Sequence, residues 1–474
     1  MKWEQLLCKD REYKYAVATD GDIRTEFRKD YHRIVGSASF RRLQDKAQVY
    51  PLERGDFVRT RLTHSLEVSS FARSLCDTIF RSSKIDGVND EIRENCCDIL
   101  DCAGLVHDIG NPPFGHFGEY AIRQWFAENF PKLTYRGTPV TELLNEQMQA
   151  DFLKFEGNAQ ALRVLSRLHC LMSMSTGMNL TYALLNTIIK YPVNSVEIDP
   201  DSGDIRTKKM GYFYSERELF KTVTESTGAG DLRFPLTFIL EAADDIAYKT
   251  ADIEDAVIKG LLTYDTLLEE LKSGKYLGDD PTDEQCAVLS EAAAQLEHSL
   301  SSAIKLGMHE PRKRAVQRWT VKPQNTLLYA AADAFCENYE AIMCGEFKTD
   351  LLSASRAAGL ANALGKIAYK YAFRSPQVVM SEISEHAVMN VLLDKIVTAA
   401  LNFKIDDRDP NDRFANDLTD VLSDNYREIC RNNCKGKSDA EQAYYRLLFA
   451  TDCISGMTDG YATEIARKLK GSAF

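Results

Sequence analysis

Several broad classes are excluded by what the chain does not contain. Its 474 residues carry 58 Lys and Arg against 70 Asp and Glu, a formal charge of −12 at pH 7. No cationic surplus marks it as a general polyanion binder, so an anion site must be a local basic cluster within an acidic protein. No apolar run approaches the ~20 residues that span a bilayer. Met1-Lys2-Trp3-Glu4 does not open a charged-then-apolar leader. A soluble, cytoplasmic protein is the expectation. No CxxC pair occurs among the 12 cysteines, and several of them lie in apolar helical stretches. They read as reduced core thiols rather than a disulfide frame or zinc knuckle. Low-complexity linkers and internal repeats are missing, and strand signals are few. Histidine is scarce as well, at eight residues, yet His64, His107 and His116 fall close together.

What is present is helical periodicity. Residues 1–35 are charged and aromatic, and read as an N-terminal arm with one short helix. A helix is expected over Ser37–Val49, ended by Pro51. A long one opens at Arg59–Val68, with Leu66, Phe71, Leu75 and Ile79 as its apolar face. Glu91–Asp108 and Glu119–Phe130 follow, then a loop at 131–155 with a short helix at Thr141–Glu146. Helices are also expected over Asn158–Met172, Asn179–Tyr191 and Arg233–Leu262, the last with Phe238, Ala242 and Ile246 facing the core. Pro200-Asp201-Ser202-Gly203-Asp204 suggests a small β-hairpin near 195–214. Residues 263–474 are mostly helical, with breaks at Gly274–Asp283, Pro311, Pro323, Pro376 and Arg408–Arg413. The fold class is all-α.

The segment His107–Glu119 stands out. A small, apolar run from Ile99 to Val106 leads into a His-Asp pair, and Gly110, Pro112 and Pro113 prevent the helix from continuing. Adjacent His and Asp cannot share a face in mid-helix, but at a helix end both can turn to one point, as metal ligands must. His116 and Glu119 follow at i, i+3. A buried, capping His is the bland alternative. A second unusual stretch, Glu241–Tyr248, sets three carboxylates in an otherwise apolar helix, which is costly without a cation or hydrogen bonds. Asp244, Tyr248 and Asp252 form one i, i+4, i+8 stripe. A solvated acidic face is the competing reading.

Taken in order, His64, His107-Asp108 and Asp244 resemble the HD superfamily of metal-dependent phosphohydrolases. Longer phrases, Arg41–Val49, Thr60–Ser65, His107–Glu119, Glu156–Gln160, Glu241–Asp255 and Ser455–Asp459, resemble the deoxyguanosinetriphosphate triphosphohydrolase family from about residue 20 to the C-terminus. The resemblance implies an HD-domain helical core over 36–262, including the hairpin insertion, and a 263–474 helical region that completes the substrate site and an oligomer interface. It implies hydrolysis of a dNTP, dGTP favoured, to deoxynucleoside and inorganic triphosphate.

Carried over by position, the resemblance makes His64, His107, Asp108 and Asp244 ligands of a divalent metal. Mn²⁺ or Mg²⁺ is the expected ion, and the mixed imidazole and carboxylate set also suits Fe²⁺, Zn²⁺ or Ni²⁺. His116, with its partner Glu119, matches the proton-handling pair. Gln48 and Val49 match contacts to the deoxyribose, Tyr248 an aromatic that crowds a 2′-hydroxyl, and Asp252 an acceptor for the 3′-hydroxyl. Arg61 matches a triphosphate-binding arginine. Lys209 and Tyr212 lie in a phosphate-side phrase where Lys208 competes. Glu382, near Arg374, is a candidate for base recognition. Some relatives carry His at the position of Asn111, and some at that of Gly157; this chain has neither, so the proton network must rest on His116 and Glu119. A ring-like homo-oligomer, a hexamer, is implied, together with a dNTP or single-stranded DNA effector. Two alternatives stand: an HD phosphohydrolase acting on other nucleotides, and a non-catalytic nucleotide or nucleic-acid sensor.

Overall fold

A computed structural model describes residues 1–13, 22–48, 59–82, 84–85, 87–169 and 177–471. The described chain is predominantly helical, as its periodicity requires. It divides into two compact units. One is assembled from Met1–Trp3, Leu66–Gly104 and Phe234–Ser381, the other from Glu4–Ser65, Leu105–Arg233 and Glu382–Phe474.

In the first unit the helix Pro235–Ile258 packs against Val321–Glu337 and Ala358–Ala368. Pro235 sits in its first turn, where the missing N–H costs nothing. Phe238, Ala242 and Ile246 are buried, as their spacing requires. A break is expected at Pro323, and one falls at Thr320, between Pro311–Trp319 and Val321–Glu337, just ahead of Pro323. Pro323 lies in the first turn of Val321–Glu337 and is tolerated there, because first-turn N–H groups have no intrahelical acceptor. The helix Arg61–Arg81 buries Val68, Ala72, Leu75, Cys76 and Ile79, whereas Leu66 is half exposed. The apolar face is thus rotated from the one expected. Arg61–Arg81 and Asp90–Val106 cross very closely: a Cβ on Gly104 would lie 2.4 Å from Ser69 Cα. Ser69 Oγ donates to the Asp101 carbonyl at 2.9 Å beside this crossing.

The second unit has an aromatic centre of Phe126, Phe130, Phe152 and Tyr444, with ring centroids 4.8–5.9 Å apart. Among the described residues the only strands are Thr134–Tyr135 and Thr138–Pro139, antiparallel, with Thr134 opposite Pro139 and Tyr135 opposite Thr138. Arg136 (φ 50°) and Gly137 (φ 82°) form the two-residue turn, and positive φ at both positions is what a tight hairpin needs. The expected hairpin at 195–214 is not formed. Pro200–Ser202 and Ile205–Thr207 are short 3₁₀ turns, because the Asp204 side chain accepts from Arg206 N and Gly203 turns left-handed. Local side-chain acceptors here outcompete strand pairing. Likewise Ser37–Val49 is not one helix. Ala38–Arg42 passes into a 3₁₀ turn at Leu43–Asp45, and Ala47 then bridges Thr60.

A buried ionic network fixes the helix Gly157–Ser166. Arg163, 2% exposed, donates to both carboxylate oxygens of Asp452 (2.8 and 2.7 Å) and to Glu216 (2.9 Å). Gln160 also donates to Asp452, at 2.9 Å. Deleting one member of such a group leaves an uncompensated buried charge. Asp452→Ala should therefore lower unfolding stability by about 3–5 kcal/mol, read from urea denaturation. A loss below about 1 kcal/mol would show that the network does not bear on the fold.

Candidate active site

The helix Asp90–Val106 stops one residue before His107, so the His-Asp pair lies in the turn that follows it. His64 stands in the first turn of Arg61–Arg81. The His64 and His107 rings are nearly perpendicular, with centroids 5.2 Å apart. One ligand atom from each of His64, His107 and Asp108 fits within 4.8 Å of the others, the one such group of three or more among the described residues. Two buried imidazoles and a carboxylate are a suitable donor set for a divalent first-row ion.

Both oxygens of Asp108 are engaged. Asn111 Nδ2 donates to Oδ1 at 2.8 Å, and His107 Nε2 lies 3.6 Å from the same oxygen. Oδ2 pairs with the guanidinium of Arg61, which is 4% exposed. Asn111 therefore orients the carboxylate, a role its sequence position did not disclose. The turn is tight on every side. Phe114 and Gly115 both take positive φ (63° and 59°), and a Cβ on Gly115 would lie 2.3 Å from Arg61 Nη2. At Gly110 a Cβ would approach Ala161 N to 2.1 Å.

The next helix, His116–Asn129, begins with the second pair. His116 is exposed, and its Nδ1 lies 3.0 Å from Glu119 Oε2. That carboxylate raises the pKa of the imidazole above its usual 6.5. Glu119 is buried, which would push its pKa up, but His116, Lys209 and the Gly157 N–H together hold it below the usual carboxylate value. Gly157 N donates to Glu119 Oε1 at 2.7 Å. A Cβ on Gly157 would sit 2.0 Å from Asn111 Oδ1 and 2.7 Å from Glu119 Oε1. The Asn111 side chain thus requires glycine at 157.

Lys209, not Lys208, faces this group. Its ammonium pairs with Glu156 at 2.9 Å, and burial, which would depress its pKa, is outweighed by Glu156 and Glu119. Lys208 is exposed. Tyr212 stacks on Phe220 with centroids 4.1 Å apart and is 9% exposed, so its ring is packed in the core. Gln48 is half-buried, and its Oε1 has no hydrogen-bond partner among the described residues. Val49 lies outside the described residues. Glu382 is half-buried on the helix Pro376–Asn402, one turn before His386, whose ring meets Phe117 edge-on at 6.4 Å.

Asp244, Tyr248 and Asp252 belong to the other unit, on Pro235–Ile258. They are not a solvated face. Asp244 and Tyr248 are half-buried, and Asp252 is buried. The Tyr248 phenol is pushed up by burial and by the carboxylates of Asp245, Asp244 and Asp252 around it. Asp245 pairs with Lys249 at 2.5 Å, yet burial raises its pKa to about 6.

The residues that sequence reasoning passed over are those acting through main-chain groups. Lys46 donates to the Asn111 carbonyl, and Asp459 accepts from Phe114 N. Both lie within phrases already singled out, but a lysine or aspartate in a phrase carries no sign that it is buried.

A family model described as "HD domain" matches residues 61–185. A "Deoxyguanosinetriphosphate triphosphohydrolase-like protein" of Listeria monocytogenes serovar 1/2a is 41% identical, over 99% of this chain and 100% of its own. One of the same description from Synechocystis sp. is 34% identical over 99% of both chains. A "Deoxyguanosinetriphosphate triphosphohydrolase" of Yersinia pestis is 34% identical over 94% of both.

Gly157→Ala should displace Asn111 or Glu119. A shift of about 1 Å at such a site costs on the order of 100-fold in turnover. The check is kcat of the purified variant, with its melting temperature measured alongside. Wild-type kcat would show that the close packing at 157 has no bearing on the site.

Proposed function

Because the chain belongs to the deoxyguanosinetriphosphate triphosphohydrolase family of the HD superfamily, we propose that it hydrolyses deoxynucleoside triphosphates, dGTP foremost, to deoxynucleoside and inorganic triphosphate. The observation that carries this reading is the meeting of two buried imidazoles and Asp108 beside an exposed imidazole–carboxylate pair. The first group suits a divalent cation, and the second suits proton transfer.

His64, His107 and Asp108 would hold the cation, and the family resemblance adds Asp244 to the set. A divalent ion there supplies Lewis acidity toward the α-phosphate and eases ionisation of a water. In the overall reaction a water oxygen bonds to the α-phosphorus, the bond to the sugar 5′-oxygen breaks, and that oxygen takes up a proton. His116 is the proposed donor, since the Glu119 carboxylate raises its pKa above the usual 6.5. Asn111 fixes the Asp108 carboxylate. Arg61 and Lys209 supply positive charge for the triphosphate, and Gln48, Tyr248 and Asp252 are the proposed contacts to the deoxyribose. Glu382 remains the proposed contact to the base.

The test is to incubate the protein with dGTP, the other dNTPs and GTP in the presence of Mn²⁺ or Mg²⁺, and to identify the phosphate product. Inorganic triphosphate with deoxyguanosine is expected. Orthophosphate, a nucleoside monophosphate or no turnover would overturn the proposal. The pH profile tests the proton donor. Turnover should be high while His116 is protonated and should fall as pH rises through its raised pKa. Glu119→Gln removes the supporting carboxylate, so the fall should move to lower pH; a fall at unchanged pH would remove His116 from the role.

A further inference from the structure

Lys46 is 3% exposed, an uncommon environment for an ammonium. Its Nζ donates to the carbonyl of Asn111 at 2.6 Å and to that of Ser455 at 2.7 Å. Its own carbonyl accepts from Arg61 N at 2.9 Å. One residue therefore joins three segments: the start of the helix that carries Arg61 and His64, the turn that carries Asp108 and Asn111, and the end of the helix Asp439–Ser455. Asp459 completes the joint. Its Oδ2 accepts from Ala47 N at 2.8 Å, and its Oδ1 from Phe114 N at 3.0 Å. Phe114 has a left-handed backbone, unfavourable for a bulky residue. Such a conformation persists only where its surroundings over-determine it, and Asp459 is one of the groups that does so. Burial lowers the pKa of Lys46 to about 7, with Asp459 opposing the shift. A buried methionine would avoid that cost but could not hold the two carbonyls.

We infer that Lys46 is a positioning residue: braced by Asp459, it fixes the His107–Glu119 turn against the start of the Arg61–Arg81 helix, so that Asn111 presents Asp108 correctly to a divalent cation. Lys46 lies at neither the proton-handling pair nor the three ligand atoms, and its ammonium meets the His107–Glu119 turn at the Asn111 carbonyl. The inference rests on the metal-site reading proposed above, and the experiment separates the two.

Mn²⁺ binding is measured by calorimetry, without substrate, on the full-length protein and on Lys46→Met, Lys46→Gln, Asn111→Ala, the double variant Lys46→Met/Asn111→Ala, and His107→Ala. Lys46→Gln keeps an N–H donor, so the comparison survives if methionine at 46 does not fold. Loss of a group that orients a ligand costs about 10- to 100-fold in metal affinity, so Lys46→Met should bind Mn²⁺ at least about tenfold more weakly. Lys46→Gln should fall between Lys46→Met and the wild type. The double variant should bind no more weakly than Asn111→Ala alone, because the effect of Lys46 passes through Asn111. Folding stability lost at Lys46 for other reasons would not produce that non-additivity. In steady state kcat should fall while KM for dGTP stays within about twofold.

If His107→Ala loses Mn²⁺ but both Lys46 variants bind it like the wild type, the positioning role fails and the metal site stands. Additive losses in the double variant also overturn the role. If His107→Ala binds Mn²⁺ like the wild type, the metal-site reading fails and the inference fails with it.

Discussion

The site depends on one carboxylate held from two sides. Asp108 projects from a turn rather than a helix, and each of its oxygens is committed: one to the Asn111 amide beside His107, the other to the Arg61 guanidinium. This arrangement needs the helix Asp90–Val106 to end where it does. A further helical turn would separate His107 from Asp108 by about 100° around the axis. The close crossing at Gly104 and Ser69 sets the two helices that lead to His107 and His64. The missing side chains at Gly110 and Gly115 in the Gly/Pro segment, and at Gly157 on the helix Gly157–Ser166, leave room for Ala161, Arg61 and Asn111 respectively. The glycines serve close approach, and at Gly115 a positive φ as well.

The turn also divides two kinds of chemistry over a short distance. On one side lie buried imidazoles, fit for a cation. On the other lies an exposed imidazole whose proton is retained by a buried carboxylate. Glu119 is stabilised in turn by the first N–H of the helix Gly157–Ser166 and by the ammonium of Lys209. That helix is itself locked by Arg163 and Asp452. A chain of buried polar contacts thus runs from the interior of the second unit to the exposed imidazole, so stability and chemistry are coupled there. Partly satisfied networks of this kind are costly.

Much of this was legible in the sequence. Pro and Gly marked the end of the Asp90–Val106 helix, because both act locally through φ and the missing N–H. The i, i+3 spacing brought His116 to Glu119, and the observed contact is 3.0 Å. Periodicity located Phe238, Ala242 and Ile246 in the core. What could not be read depended on long-range partners. Arg136-Gly137 forms the hairpin turn, with Arg136 held by carboxylates at 406, 409 and 439. The more turn-like Pro200–Asp204 satisfies itself locally and pairs no strand. Nothing in the sequence around Lys46 reports the two carbonyls, far along the chain, that enclose it. Asn111 looked like a defect in a histidine-bearing pattern, and Gly157 like a second one. Only their contact shows that glycine at 157 makes room for the Asn111 side chain.

The central claim is that His64, His107 and Asp108 form the ligand side of a divalent-cation site. It is tested most directly by growing crystals of the protein with Mn²⁺ and locating the ion by anomalous scattering at the manganese edge. The account predicts a single strong peak held by one nitrogen of each histidine and one oxygen of Asp108, and its loss in crystals of His107→Ala. A peak elsewhere, or one that survives His107→Ala at these three residues, would contradict it.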